Sequence, residues 1–197
     1  VLLRGVYLSS ATVASGKWPR SALSSGRETA GKMLGLVGFG SIGQLTARLA
    51  RSVGMEVIAY DAMLGAGHPA YAVAGARAAG LDEVVRTADV VSLHVPLVES
   101  TRGLFSAARI ASMKRGAVLV NSARGGIVDE AALAIALRDG HLGGAAIDVF
   151  ATEPLPASPH FDDCPNLILT PHVAGVTAEA NERVSFLIAD KVIEALA

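Results

Sequence analysis

Apolar residues fall along this chain in short runs and in stretches of helical spacing, and from Lys32 onward the two alternate. Met33, Leu34, Leu36 and Val37 form a run of the kind expected of a strand buried on both faces. Residues 44–53 repeat their apolar positions at helical spacing, and residues 56–60 read as the next strand. A loose Ala/Gly segment then extends to Gly80, with a weak strand expected over residues 71–73. Residues 81–87 predict a short amphipathic helix. Residues 89–93 predict a strand that ends before Pro96, which has no N–H for a ladder. Helices are expected at 106–113, 129–139 and 177–196, and strands at 117–120, 145–147 and 167–169, with a proline-rich loop over 152–165. Strands alternating with helices predict an α/β fold, a doubly wound parallel sheet of Rossmann type. Residues 1–28 stand outside the alternation: 1–13 are partly helical in pattern, 15–20 form a break and 21–26 a loop of small residues. The chain therefore divides into an arm (1–28), a sheet domain (29–175) and a C-terminal helix (176–197).

The turn after the first strand changes the picture. Gly38-Phe39-Gly40-Ser41-Ile42-Gly43 follows the apolar run directly and opens a helix, the context required of a dinucleotide fingerprint. Gly38 permits a tight turn, Gly40 lets backbone approach a pyrophosphate, and Gly43 lets helix and strand pack closely. The helix N-terminus offers N–H groups to the phosphates. Asp61, at the end of the second strand, can accept from both adenosine ribose hydroxyls and would repel a 2′-phosphate. No Lys or Arg follows it in Ala62-Met63-Leu64-Gly65, so NAD is expected in preference to NADP.

Composition narrows the setting. With 197 residues, 51% hydrophobic and 18% charged, the chain has room for one substantial core with appendages. A net charge of −1 gives no reason to expect nucleic acid or an anionic membrane, and no apolar run reaches spanning length. The lone Cys164 excludes an internal disulfide and suits a reducing compartment, so a cytoplasmic protein is expected. Cys164 lies in a loop, Asp162-Asp163-Cys164-Pro165, without a second cysteine to partner it, and neither metal binding nor nucleophilic chemistry is expected of it. Trp18 falls in the arm, where it serves either an edge contact or a subunit interface.

Ligands of open α/β sheets sit beyond the carboxyl ends of the strands. Those ends carry the glycine turn, Asp61, His94-Val95-Pro96, residues 121–126, 148–153 and 171–175. Three residues there carry chemistry: Arg124, Glu153 and His172. Singly, each has a plain reading: a surface arginine, a loop carboxylate, a satisfied core histidine. Together they match what reduction of a 2-oxo acid by a nicotinamide needs. Arginine can hold the substrate carboxylate in a fork, histidine can donate the proton, and a carboxylate can orient that histidine. His68, His141 and His160, in turn-like contexts, are expected to be solvated.

The stretches VGFGSIGQ with Asp61, HVPLVESTRGLF, NSARGGIVDEAAL, AAIDVFATEPLP and TPHVAG resemble the D-isomer-specific 2-hydroxyacid dehydrogenases, over nearly the whole chain. That resemblance implies Arg124 as the substrate-carboxylate arginine, His172 as the acid/base and Glu153 as its partner. It implies Asp148 as an aspartate on the nicotinamide side. Ser41, Ile42, Val95, Ser122, Ala123 and His172 to Gly175, including Ala174, fall where the family contacts the cofactor. His94 and Pro96 are expected to line the same cleft without an acid/base role. RGGIVDEAAL looks most like the phosphoglycerate-dehydrogenase-like branch. A formate dehydrogenase reading is disfavoured, because those enzymes carry glutamine where Glu153 stands. The resemblance also implies a separate substrate-binding domain, a homodimer formed through residues 1–28, and a final helix returning to that domain. Corepressors of the same fold, which bind NAD without physiological turnover, are the alternative class.

Overall fold

The computed structural model describes residues 1–6, 9–157 and 160–196; parts of the expected arm helix (7, 8), the proline-rich loop (158, 159) and the last residue lie outside that set. Two short helices, α1 (Ser10–Ala14) and α2 (Arg20–Leu23), carry the first segment, and neither contains a buried residue. Side-chain hydrogen bonds fasten the described part of the arm to the sheet domain. Arg27 Nη2 donates to the Gly116 carbonyl at 2.6 Å, and Asn166 Nδ2 donates to the Leu2 carbonyl at 2.9 Å.

Seven strands follow: β1 (Met33–Val37), β2 (Glu56–Tyr60), β3 (Arg77–Ala78), β4 (Val90–Leu93), β5 (Val118–Asn121), β6 (Gly144–Ile147) and β7 (Leu167–Leu169). They form one sheet in the order β3-β2-β1-β4-β5-β6-β7, and every pair is parallel. The connecting helices are α3 (Ser41–Ser52), α4 (Pro69–Val73), α5 (Leu81–Thr87), α6 (Ala107–Ala111) and α7 (Glu130–Arg138). Strand order reverses between β1 and β4, and that crevice is where a sheet of this kind holds a ligand. β1 is buried along almost its whole length, as its unbroken apolar run requires. Two cores result. One joins Leu34, Leu36 and Phe39 to Ala47 and Tyr71; the other runs through Leu93, Phe105, Ile110, Leu119 and Leu133. α8 (Ala178–Leu196) closes the described chain and contains no buried residue; Phe186 is 65% exposed.

Three expectations need correction. Residues 71–73 belong to helix α4, with Pro69 at its start and His68 Nδ1 accepting the Ala70 N–H at 3.2 Å. Tyr71 is buried and stacks on Phe39 with ring centroids 4.7 Å apart, so its alternation with small residues reflects one anchoring ring rather than a strand. The edge strand lies a few residues later, at Arg77–Ala78. The helix after the glycine turn begins at Ser41, three residues before the first position of the helical pattern. Finally, His141 is half-buried, and its Nε2 donates to the Ile110 carbonyl at 3.1 Å.

Candidate active site

The glycine turn is shaped partly by the protein and partly for a ligand. Gly38 has φ +95°, and a Cβ there would stand 2.5 Å from the His94 carbonyl oxygen. A Cβ on Gly43 would stand 2.4 Å from the Gly38 carbonyl oxygen, so helix and turn touch. Around Gly40 the space is open, with nothing within 4 Å of its Cβ position. α3 starts there without a side-chain cap, leaving its first N–H groups for an anion. Asp61 Oδ2 accepts the Phe39 N–H at 2.7 Å and Oδ1 accepts the Met63 N–H at 2.8 Å, which fixes the carboxylate beside the turn. An open cradle at a helix N-terminus, with a fixed acid at the next strand end, fits a dinucleotide.

A cleft of about 300 Å³ continues from this turn, lined by Ile42, His94, Val95, Pro96, Ser122, Ala123 and Arg124. The structure thus brings together seven of the residues picked out from the sequence. Burial lowers the pKa of His94, which keeps its ring neutral, and Nε2 lies 3.0 Å from the Ser92 hydroxyl. The loop carrying Arg124 is held by Asn121, itself 2% exposed. Its Nδ2 donates to the Arg124 carbonyl at 3.0 Å, and its Oδ1 accepts the Ala123 N–H at 3.1 Å. Arg124 is exposed, and one guanidinium nitrogen donates to the Ala123 carbonyl at 2.6 Å.

His172 and Glu153 meet in a second, larger cleft of about 670 Å³, lined also by Phe150, Pro154, Leu155, Leu169, Thr170 and Pro171. His172 Nδ1 lies 2.7 Å from Glu153 Oε2, while Glu153 Oε1 accepts the Phe150 N–H at 2.8 Å. Those two bonds, the His172 one foremost, hold the Glu153 carboxyl below the usual glutamate range. With Nδ1 engaged, Nε2 is the ring nitrogen that can exchange a proton with a ligand.

Asp148 is buried, with 6% exposure. Its Oδ1 accepts the Thr170 hydroxyl at 2.5 Å and the Val173 N–H at 2.9 Å, and Oδ2 accepts the Ala174 N–H at 3.0 Å. Burial alone would raise its pKa, but these three donors outweigh it and leave the carboxyl below the usual aspartate range. Oδ2 keeps a lone pair for a further donor. Gly175 is exposed at the end of this turn, with open space at its Cβ position.

Two residues escaped the sequence reading. Glu130 Oε1, at the start of α7, accepts the Ala151 N–H at 2.7 Å and so steadies the loop bearing Glu153. Thr170 reaches Asp148 from the end of β7. No local pattern marks either, because the partner lies more than twenty residues away. Cys164 is half-buried with its Sγ 3.8 Å from Arg138 Nη1, and burial raises its pKa, which disfavours a thiolate. Among the described residues no group of three His, Cys, Asp or Glu could hold a metal, and no helix is long and apolar enough to cross a membrane.

The family described as D-isomer specific 2-hydroxyacid dehydrogenase, NAD binding domain, matches residues 1–174. The (S)-sulfolactate dehydrogenase of Chromohalobacter salexigens is 52% identical over 196 residues, covering 100% of this chain and 63% of that protein. The D-3-phosphoglycerate dehydrogenase of Haemophilus influenzae is 44% identical over 200 residues, covering 98% of this chain and 47% of that protein. The chain thus spans about half the length of these relatives. A solved NAD-dependent formate dehydrogenase from Staphylococcus aureus, in complex with NAD, superposes with a TM-score of 0.87 at 32% identity, covering 99% of this chain and 58% of its own. The chain belongs to the D-isomer specific 2-hydroxyacid dehydrogenase family, as its NAD-binding domain.

Proposed function

We propose that this chain is the cofactor-binding part of an oxidoreductase that interconverts a small 2-hydroxy acid and its 2-oxo acid. The observation that carries the reading is the His172–Glu153 pair at 2.7 Å, on the same strand-end edge as the open glycine cradle. When bound, NAD supplies the hydride donor or acceptor. Gly38, Gly40, Ser41, Ile42 and Gly43 receive the pyrophosphate on backbone N–H groups, and Asp61 receives the adenosine ribose. His94, Val95, Pro96, Ser122 and Ala123 wall the cleft beyond, and Asp148, Ala174 and Gly175 border the nicotinamide end.

Arg124 offers its remaining N–H groups to the substrate carboxylate and draws the 2-oxo group into register. His172 Nε2 gives its proton to the oxygen in reduction and takes it back in oxidation. Glu153, kept ionised by its two donors, holds Nδ1 and so the ring plane. The two curated relatives are named for 2-hydroxy acids carrying a second anionic group, sulfolactate and 3-phosphoglycerate, so substrates of that class head the list. The proposal extends to a cytoplasmic homodimer held through residues 1–28, where Trp18 is 76% exposed. Turnover of the full-length protein with NAD(H) on 2-hydroxy and 2-oxo acids, sulfolactate and 3-phosphoglycerate included, tests the function. Saturable NADH-dependent reduction is expected; NAD binding without turnover of any such acid would favour a binding protein instead.

A further inference from the structure

We propose that Thr170 is a positioning residue for His172, acting through Asp148, an inference that rests on the dehydrogenase reading above. His172 has φ +55°, in the left-handed region that a non-glycine residue holds only when its surroundings over-determine it. Here Asp148 does so. Three successive amides converge on this one residue: His172 N–H on its carbonyl at 2.8 Å, Val173 N–H on Oδ1 at 2.9 Å and Ala174 N–H on Oδ2 at 3.0 Å. A carboxylate can hold two amides in this way only if it cannot turn about its own axis. The Thr170 hydroxyl, at 2.5 Å from Oδ1, is the side-chain contact that pins it.

Thr170 is itself part of the sheet, because its N–H donates to the Ile147 carbonyl at 3.1 Å. The order of contact is therefore ladder, hydroxyl, buried carboxylate, turn and imidazole ring. Through it the rigidity of β6 and β7 reaches the ring that faces Glu153. Without the hydroxyl, Asp148 would be buried with one donor fewer, and the turn would relax towards ordinary backbone angles. The His172 ring would then lose its set distance to Glu153. A small displacement of a proton donor is costly in rate and nearly silent in ground-state binding.

The full-length protein carrying Thr170→Val, Thr170→Ala or Thr170→Ser provides the test, with circular dichroism to confirm folding. In the Val and Ala variants kcat for 2-oxo acid reduction should fall roughly ten- to a hundredfold, the scale set by a slightly misplaced proton donor. KM for the oxo acid should stay within about threefold, NADH affinity should fall by less than kcat because the loosened turn also borders the nicotinamide end, and Thr170→Ser should recover most of the rate. Amide exchange at Val173 and Ala174 should quicken in the Val and Ala variants and return to the parental rate in Ser. An undiminished kcat, a Ser variant as impaired as Val, or a loss confined to NADH affinity would each overturn the proposal. So would unfolding of both Val and Ala, which would make the hydroxyl a requirement of the fold. If the parent protein reduces no 2-oxo acid, the dehydrogenase reading falls, and the clamp itself then stands or falls on the exchange rates.

Discussion

The Asp61 carboxylate closes the glycine turn through Phe39 and its own turn through Met63, so under the proposed function it would shape the phosphate cradle as well as receive the ribose. Asp61→Ala should therefore weaken both cofactors, but NAD far more. Losing hydrogen bonds to a charged group costs about 1.5–3 kcal/mol, roughly ten- to a hundredfold in affinity. Isothermal calorimetry with NADH and NADPH should show a clear preference in the parent and a narrowed ratio in the variant; equal parental affinities would contradict the assignment. Arg124 is a different case. One of its donors is spent on the Ala123 carbonyl, and its other N–H groups still form a fork of the shape a carboxylate accepts. Arg124→Lys keeps the charge but loses the fork, and kcat/KM in the full-length protein should fall by about tenfold or more while NADH affinity barely moves. Unchanged kinetics would take Arg124 out of the site. Arg124, Glu153 and His172 were legible in the sequence because their chemistry is expensive and each falls at a strand end. Glu130 and Thr170 were not: an acid just after the Asp129 cap and a hydroxyl after a strand have ordinary local uses, and only the folded chain brings their partners near.

Among the elements, the turns just after β5, β6 and β7 touch one another directly. A Cβ on Gly125 would lie 1.7 Å from the Phe150 carbonyl oxygen, so the Arg124 turn rests directly on the loop that carries Glu153. Gly125→Ala should push the two apart. Overpacking of this kind costs about 1–3 kcal/mol, visible as a lower melting temperature, and oxo-acid turnover should suffer more than NADH binding. Parental kcat/KM in that variant would mean that the two loops need not touch. At this scale the strands and most helices were readable from apolar period alone, since β1 and β4 are nearly continuous apolar runs and α7 keeps one buried face. α4 was not, because five residues are too few for a period, and its one large ring, Tyr71, is explained by Phe39 across the chain. The start of α3 was hidden too, since Ser41 and Ile42 are both exposed and Ile42 lines the cleft rather than the core.

For the whole molecule, the edge of the sheet opposite the site matters for stability. Asp89, 7% exposed, accepts the Met33 N–H at 2.9 Å and Lys114 Nζ at 2.7 Å, with Arg27 of the arm 4.0 Å away. Burial would raise its pKa, but Lys114 and the Met33 N–H outweigh that and hold it below the usual aspartate range. A carboxyl so depressed stabilises the fold above its unfolded pKa, and that contribution is lost as pH falls through the folded value. Denaturant melts should show stability declining on acidification below the ordinary aspartate range. Asp89→Asn should be weaker at neutral pH by about 1.5–3 kcal/mol and should show less of that decline. An identical pH profile would remove Asp89 from the account. The same contact spans 56 residues of chain, because β1 has its early neighbour β2 on one side and must wait for β4 on the other. Such distant parallel pairings are slow to form. The β1–β4 seam is thus expected to close late, after β1, β2 and α3 have met. The cofactor cleft has walls on both sides of that seam, from Ile42 to His94 and Arg124, so it exists only once the two halves have joined. NADH at about 100 times its dissociation constant should then add about 2.7 kcal/mol of stability, roughly 5–10 °C of melting temperature for a domain of this size. In a newly made chain, the dinucleotide would act as the last fastener, retained only by molecules whose halves have already come together.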